Sequence, residues 1–241
     1  MPDLVVSEAD GVLRLRIDRE TKRNALSDAM ATEICAALEA TDARVVLLSS
    51  SGDGVFCAGA DLAVMSGATS RGGVGRVIEA MRACPAPVVV RVQGLCLAGG
   101  VGLVLGADLA IAADTAAFGL PEVTIGLWPF MVSVLLAQHV SPKVAMDLML
   151  TGRRVPAAEA LTVGLLSRVV PAGDLDREVE AVVAALSAAA PLAVRTGKQS
   201  FLGRGTMADM EAALTALSNT EDAAEGIAAF RDKRPPAWHS R

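Results

Sequence analysis

Apolar positions recur along this chain with two different periods, and the change from one to the other divides it. In residues 11–18, Leu13, Leu15 and Ile17 alternate with Val12, Arg14 and Arg16. That pattern predicts a half-solvated strand, paired with residues 4–7 as a hairpin. Ser27 then stands at an N-cap position with Asp28 in the first turn, and Met30, Ile34 and Leu38 follow at every fourth residue, predicting a helix to about Thr41. An apolar strand occupies residues 44–50. After the breaker Cys84-Pro85-Ala86-Pro87 comes a β-branched run, Val88, Val89, Val90, Arg91 and Val92, which reads as a buried strand. Residues 109–112 form another short one. The repeated strand, strand, helix order suggests stacked turns of an α/β spiral. After Pro121 the spacing becomes mostly helical, over residues 130–139, 142–150, 156–162, 175–189, 192–202, 206–217 and 221–230, with Pro142 and Pro156 at first-turn positions. Residues 66–76 are rich in glycine and lack apolar spacing, so they read as a mobile loop near Ala60.

Composition narrows the class. The chain has 241 residues, 52% of them hydrophobic, enough for one large core or a core with an appended helical part. Its net charge is −5, from 22 basic and 27 acidic residues, and no basic block would track a nucleic-acid backbone. The longest uncharged stretches, 92–107 and 123–138, run to about 16 residues each, short of the ~20 that span a bilayer. Acidic residues stand near the N-terminus where a signal peptide needs positive charge, so a cytoplasmic protein is expected. Four cysteines in no CxxC spacing, with only two histidines, predict no metal site. They read as small hydrophobes in a reducing compartment. Gly-x-Ser-x-Gly is absent, which argues against an α/β-hydrolase.

The candidate chemistry starts at residues 93–108, where the strand ending at Val92 would enter a helix through Gly99 and Gly100. Glycines permit a sharp turn there, and the unpaired N–H groups of the helix start make an electropositive socket. A dinucleotide fingerprint from Gly100 and Gly102 requires glycine at position 105, which is Leu105; Gly106 is one place late. No P-loop Lys-Ser or Lys-Thr follows, and Gly203 to Ala208 follows a helical pattern instead of a strand. On these residues alone, tight helix packing explains the glycines as well as a ligand does.

Two further stretches decide between those readings. Phe56-Cys57-Ala58-Gly59-Ala60-Asp61-Leu62, the downstream strand-glycine-helix unit, and the tail from Glu225-Gly226 through Phe230-Arg231-Asp232-Lys233 to Trp238 together resemble the crotonase, or enoyl-CoA hydratase/isomerase, family. The resemblance covers nearly the whole chain. It implies a crotonase-like ββα spiral core with the acyl-CoA site (residues 1–190) and a C-terminal helical trimerisation region (191–241). It also implies trimers, often paired into hexamers, and coenzyme A as part of the substrate with no separate cofactor.

By that resemblance the backbone N–H groups of Ala60 and Gly99 stabilise the enolate oxygen of a thioester. Fixed dipoles aimed at growing charge supply ~3–4 kcal/mol per donor, and Gly59 and Gly100 keep side chains out of the way. Family hydratases carry two glutamates; here Glu122 stands at one place and Gly102 at the other. Apolar neighbours of Glu122 should raise its pKa toward that of a general base. One carboxylate suffices to move a double bond from 3-enoyl to 2-enoyl-CoA, so isomerisation is favoured; a hydratase working with one Glu and a non-catalytic acyl-CoA-binding homologue are the alternatives. Lys22, Arg23 and Ala25 match the family's first nucleotide-contacting loop, although Arg19-Glu20 departs where proline often follows arginine. Backbone around Ala58, Asp61 and Leu62, with Gly100, would face the coenzyme, while the side chains of Asp61 and Asp108 read as structural. Trp128, with Phe130, would wall the acyl tunnel, and Phe230 and Lys233 match tail positions lent to the ligand, often by a neighbouring subunit. A roomy Gly102 would let Gly102→Glu add hydration.

Overall fold

The N-terminal alternation folds as a hairpin, β1 (Leu4–Ala9) antiparallel to β2 (Val12–Ile17), with Leu13, Leu15 and Ile17 buried. The computed structural model describes residues 2–61 and 73–239. Ser27 Oγ accepts the Met30 N–H at 3.2 Å and starts α1 (Asp28–Ala40), which buries Met30, Ala31, Ile34 and Leu38. Three repeats follow, each placing one strand in a large sheet, one in a small sheet, and then a helical segment. They are β3 (Val45–Ser50), β4 (Val55–Cys57) and α2 (Gly73–Ala83); β5 (Val88–Val92), β6 (Leu95–Leu97) and α3 (Gly99–Gly106); and β7 (Leu109–Ala113), β8 (Ala117–Gly119) and a 3₁₀ turn (Pro121–Ile125) leading to α4 (Phe130–His139). Then come α5 (Pro142–Thr151), β9 (Arg154–Pro156), α6 (Ala157–Val163), β10 (Arg168–Val170), α7 (Leu175–Ala188), α8 (Pro191–Gly203), α9 (Met207–Ser218) and α10 (Glu221–Asp232).

The large sheet runs β1-β2-β3-β5-β7-β10 and the small one β4-β6-β8-β9; only the β1–β2 and β8–β9 pairs are antiparallel. At the corner between β5 and β6 a Cβ on Gly94 would lie 2.5 Å from Gly54 O, so successive turns of the spiral touch there. The buried Gln93 side chain ties the same layers, donating to Ser50 Oγ (2.9 Å) and Gly52 O (2.8 Å).

Three expectations change. The strand before α3 does not feed it directly, because β6 intervenes in the other sheet. The solvated face of β2 is covered at one end only: Val12 packs with Val45, Leu47, Val89 and Ile111 beneath Leu175, Val179, Val182 and Val183 of α7, while the side chains of Arg14 and Arg16 are 40 and 53% exposed. Arg14 on that face makes a bidentate pair with Glu180 (2.7 and 2.8 Å). In the glycine-rich stretch, 73–76 opens α2, and 66–72 lies outside the described residues. Among the described residues no single helix is long and apolar enough to cross a membrane.

The C-terminal helices begin with a firm attachment. Lys198 of α8, whose side chain is 7% exposed, places Nζ 2.7 Å from Asp108 Oδ2, 2.9 Å from Ala86 O and 3.1 Å from Met81 O. The same Asp108 oxygen accepts the Val88 N–H at 2.7 Å. One ammonium thus joins α8 to the end of α2, the start of β5 and the end of α3. Lys198→Met strands a half-buried carboxylate and two carbonyls, so urea denaturation should show a loss of about 3 kcal/mol. A loss under about 0.5 kcal/mol would place the bridge among weak surface pairs.

Candidate active site

The loop between β2 and α1 and the turn after β4 are built as one unit. Arg23 and Asn24 both take left-handed backbone, with φ 52°, a conformation that asparagine tolerates better than most residues. Asn24 is fully buried and saturated: Oδ1 accepts Arg19 N (3.0 Å), and Nδ2 donates to Ser51 O (2.9 Å) and Val55 O (2.8 Å). From this pinned loop, Arg23 O accepts Ala58 N (3.1 Å), Leu26 N donates to Gly59 O (2.8 Å), and Asp61 N donates to Leu26 O (2.9 Å). These last two bonds make a parallel bridge between Leu26 and Ala60. In such a bridge the neighbours of Ala60 bond toward Leu26, so the N–H of Ala60 itself points the other way. Lys22, Arg23, Ala25, Ala58, Ala60 and Asp61 are therefore brought together. Lys22 and Arg23 are exposed and carry no ion pair among the described residues.

Asp61 is held by the protein. Its Oδ2 lies 2.9 Å from Arg19 Nη2, and its side chain is 10% exposed. Arg19 also pairs with Asp3 (2.6 Å) and donates to Ala25 O (2.9 Å). The carboxylate fastens the loop to the turn, and only the Asp61 backbone stands beside Ala60. Leu62 lies outside the described residues.

The other wall is the start of α3. Gly59, at φ +95°, sits so close that a Cβ there would be 2.8 Å from Ala98 Cβ and 3.0 Å from Gly99 N. The left-handed residue of the α3 entry is Ala98 (φ 52°, ψ −123°), whose N–H bonds Gly119 O at 2.9 Å. Gly99 and Gly100 serve close approach instead of the turn: a Cβ on Gly99 would lie 2.7 Å from Val74 Cγ2, and one on Gly100 would lie 2.6 Å from Cys57 O. Gly99 N belongs to the first helical turn and has no intrahelical partner. Among the described residues neither Ala60 N nor Gly99 N has an acceptor. Between this wall and the loop lies a cavity of about 20 Å³ lined by Leu26, Ser27, Asp28, Ala60, Asp61, Gly73 and Val74, room for about one water.

Glu122 follows Pro121 in the 3₁₀ turn after β8, and its carbonyl accepts the Leu127 N–H at 3.0 Å. Its Oε2 is buried without a hydrogen-bond partner. Burial pushes the carboxyl pKa up, and a hydrogen bond from its own backbone offsets this only in part. That is the environment of a carboxylate poised to take a proton. Trp128 packs against the main core and Phe130 points outward. Phe230 and Lys233 stand exposed at the end of α10, and no hydrogen bond or ion pair among the described residues joins either side chain to the Ala60 turn.

Gly102 is not the space that a lost glutamate would leave. It is buried in α3, and a Cβ there would lie 2.8 Å from Ile78 Cδ1 and 3.2 Å from Val132 Cγ2. Neighbouring helices α2 and α4 have filled the position with aliphatic side chains.

Residues 7–241 match the family model described as enoyl-CoA hydratase/isomerase. The chain belongs to that family. Its fold is the crotonase fold: it superposes on the enoyl-CoA hydratase of Mycobacterium smegmatis with TM-score 0.92 and 34% identity, covering 99% of this chain and 100% of the other. It superposes on that of Bacillus anthracis with TM-score 0.92 and 31% identity, covering all of both chains. In sequence it is 33% identical to human enoyl-CoA hydratase domain-containing protein 3, mitochondrial, over 96% of this chain and 82% of the relative. Within this family member, the sequence reading of the Asp61 side chain as structural holds, with Arg19 as its partner, while the supporting roles of Asn24 and Gln93 were missed.

The crowding around Gly102 bears on how a glutamate there should behave. Gly102→Glu should destabilise the protein chiefly through an unpartnered buried carboxylate, since Ile78 Cδ1 is the end of a flexible side chain and Val132 Cγ2 need give only a few tenths of an ångström. A melting temperature at or above wild type, with new hydration of a 2-enoyl-CoA, would show that the carboxylate finds a partner there.

Proposed function

We propose that this enzyme moves the double bond of a 3-enoyl-CoA to the 2 position through an enolate. Glu122 takes a proton from C2, electron density shifts to the thioester oxygen, and the Ala60 and Gly99 N–H groups hold that oxygen. The same carboxyl returns the proton to C4 while the double bond settles between C2 and C3. No water is consumed. The observation that carries this reading is the buried, partnerless Oε2 of Glu122 in a chain whose second carboxylate position is occupied by Ile78 and Val132. Losing one of two acid/base groups costs a hydratase ~10²–10⁴ in rate, whereas isomerisation never needs the second.

Lys22 and Arg23 would meet the phosphates of coenzyme A by charge, with Ala25, Ala58, Leu62 and Gly100 along its pantetheine and adenine and Trp128 toward the acyl chain. Phe230 and Lys233 would reach the ligand of another subunit in a homotrimer or hexamer. Support for self-association comes from large apolar side chains left on the surface: Phe130, Val134, Phe201 and Phe230 are 69, 62, 81 and 86% exposed. We place the protein in the cytoplasm, with its four cysteines free. Hydration by Glu122 alone is the second reading, favoured by the names of the relatives, which are hydratases. A panel of 3-enoyl and 2-enoyl-CoA thioesters separates the two: double-bond migration without water addition supports isomerisation, and hydration of the 2-enoyl substrate overturns it.

Glu122→Gln should fold normally and lose ~10²–10⁴ of turnover with ligand affinity retained. In the wild type, kcat/KM should rise with pH through a carboxyl pKa above the ordinary range. The linkage has the matching sign. A carboxyl raised on folding contributes stability below its unfolded pKa and loses it as pH rises through the folded value. The Gln variant should lack that decline.

Gly99→Pro is a poor test of the oxyanion hole, because any side chain at 99 strikes Val74. Replacing Ala60 by its α-hydroxy acid keeps the methyl group, removes the N–H and weakens the Gly59 carbonyl that accepts the Leu26 N–H. Turnover should fall by ~10²–10³ with a small fall in melting temperature, and full activity would remove Ala60 from the mechanism.

A further inference from the structure

Gly59 precedes the Ala60 donor and is the residue of that turn with the greatest backbone freedom. It is held at two points. Its carbonyl accepts the Leu26 N–H at 2.8 Å, and its N–H donates to Cys57 Sγ at 3.4 Å, with the same sulfur 3.9 Å from Gly59 O. The Gly59 carbonyl and the Ala60 N–H share one rigid peptide plane and point in opposite directions. Whatever fixes the φ and ψ of Gly59 therefore fixes where the Ala60 N–H aims. Cys57 also meets the other wall of the site: a Cβ on Gly100 would lie 2.6 Å from Cys57 O and 3.0 Å from Cys57 Cβ. Its Cα partner in the small sheet is Cys96, and both thiols are fully buried.

Resting on the oxyanion role given to Ala60, we propose that Cys57 is a positioning residue, whose sulfur accepts the Gly59 N–H and so aims the Ala60 N–H at the thioester oxygen. The sulfur acts as a weak acceptor, within the ordinary repertoire of a thiol. Burial pushes the thiol pKa up to about 12, which leaves it neutral and unreactive at physiological pH, so it serves neither as nucleophile nor as base. A merely space-filling cysteine would be replaceable by any side chain of similar volume. A positioning one requires an acceptor.

Three variants separate these roles. Cys57→Ser keeps an acceptor, Cys57→Val keeps volume without one, and Cys57→Ala loses both. On the best thioester of the panel, Cys57→Val and Cys57→Ala should each lose roughly tenfold in kcat, a fraction of the ~10²–10³ for removing a donor outright, with KM within about twofold. Cys57→Ser should recover most of that loss. Amide exchange of Gly59, followed by NMR on the same proteins, supplies a readout independent of turnover: protected in wild type and the Ser variant, faster in Val and Ala. Wild-type kcat and Gly59 protection in Cys57→Val would overturn the proposal. Equal losses in all three variants, with exchange unchanged, would overturn it as well. If wild type turns over no thioester, the reading of Ala60 fails, and the exchange data still decide whether Cys57 holds Gly59.

Discussion

Where the turn after β4 meets the start of α3, backbone lies against backbone with no room for side chains, and the site is built outward from that contact. A Cβ on Gly59 would press on Ala98 and Gly99 N, and a Cβ on Gly100 would press on Cys57 O. Such proximity leaves the Ala60 and Gly99 N–H groups without an acceptor among the described residues. It also forces Ala98 into a backbone region that alanine rarely adopts, a strain of about 1–3 kcal/mol that persists only where surrounding structure over-determines it. The determinants are visible: Ala98 N bonds Gly119 O across the small sheet, and the Asn24 and Gln93 networks hold the loops on either side. Each of those buried polar groups is satisfied several times over, which makes it a rigid support instead of a liability.

Much of the scaffold was legible because its segments are long. A helix such as α7 (Leu175–Ala188) repeats its apolar spacing, with Leu175, Val179, Val182 and Val183 on one buried face, often enough to set both ends, and the Ser27 cap located α1. The three-residue strands β8, β9 and β10 are too short to display a period of two, so they vanished into loops and helix ends. For α2 the signal was present and misread. Val74, Val77, Ile78 and Met81 fall on one buried helical face, but Gly73 and Gly75 among them suggested a loop. Gly75 is where α2 approaches Met131, 3.3 Å from the place a Cβ would take, so here glycine marks helix contact.

The site was legible as a set of residues and opaque as geometry. The family resemblance nominated Ala60, Gly99 and Glu122, yet no sequence signal says where a backbone N–H points; for Ala60 that direction comes from the Leu26–Ala60 bridge. The surroundings of Gly102 were hidden for the same reason. What occupies the space over α3 is set by Ile78 and Val132, side chains of two other helices whose approach depends on the whole spiral. A missing side chain in a sequence is therefore weak evidence of a vacancy in the fold, because close packing refills what deletion opens.

Burial also divides the labour among the proposed contacts. Lys22 and Arg23 stand in solvent, where ionic attraction is screened and modest, and whatever they contribute applies equally to a bound ground state and a transition state. Such contacts act on KM. Glu122 and the N–H groups of Ala60 and Gly99 stand where water is scarce, and there a dipole or a carboxylate counts for far more against a charge that appears only during reaction. The cavity of about 20 Å³ beside Ala60 has room for about one water, so few solvent dipoles compete with those donors. The tight contact that excludes side chains from the site is thus also what gives its few polar groups their strength.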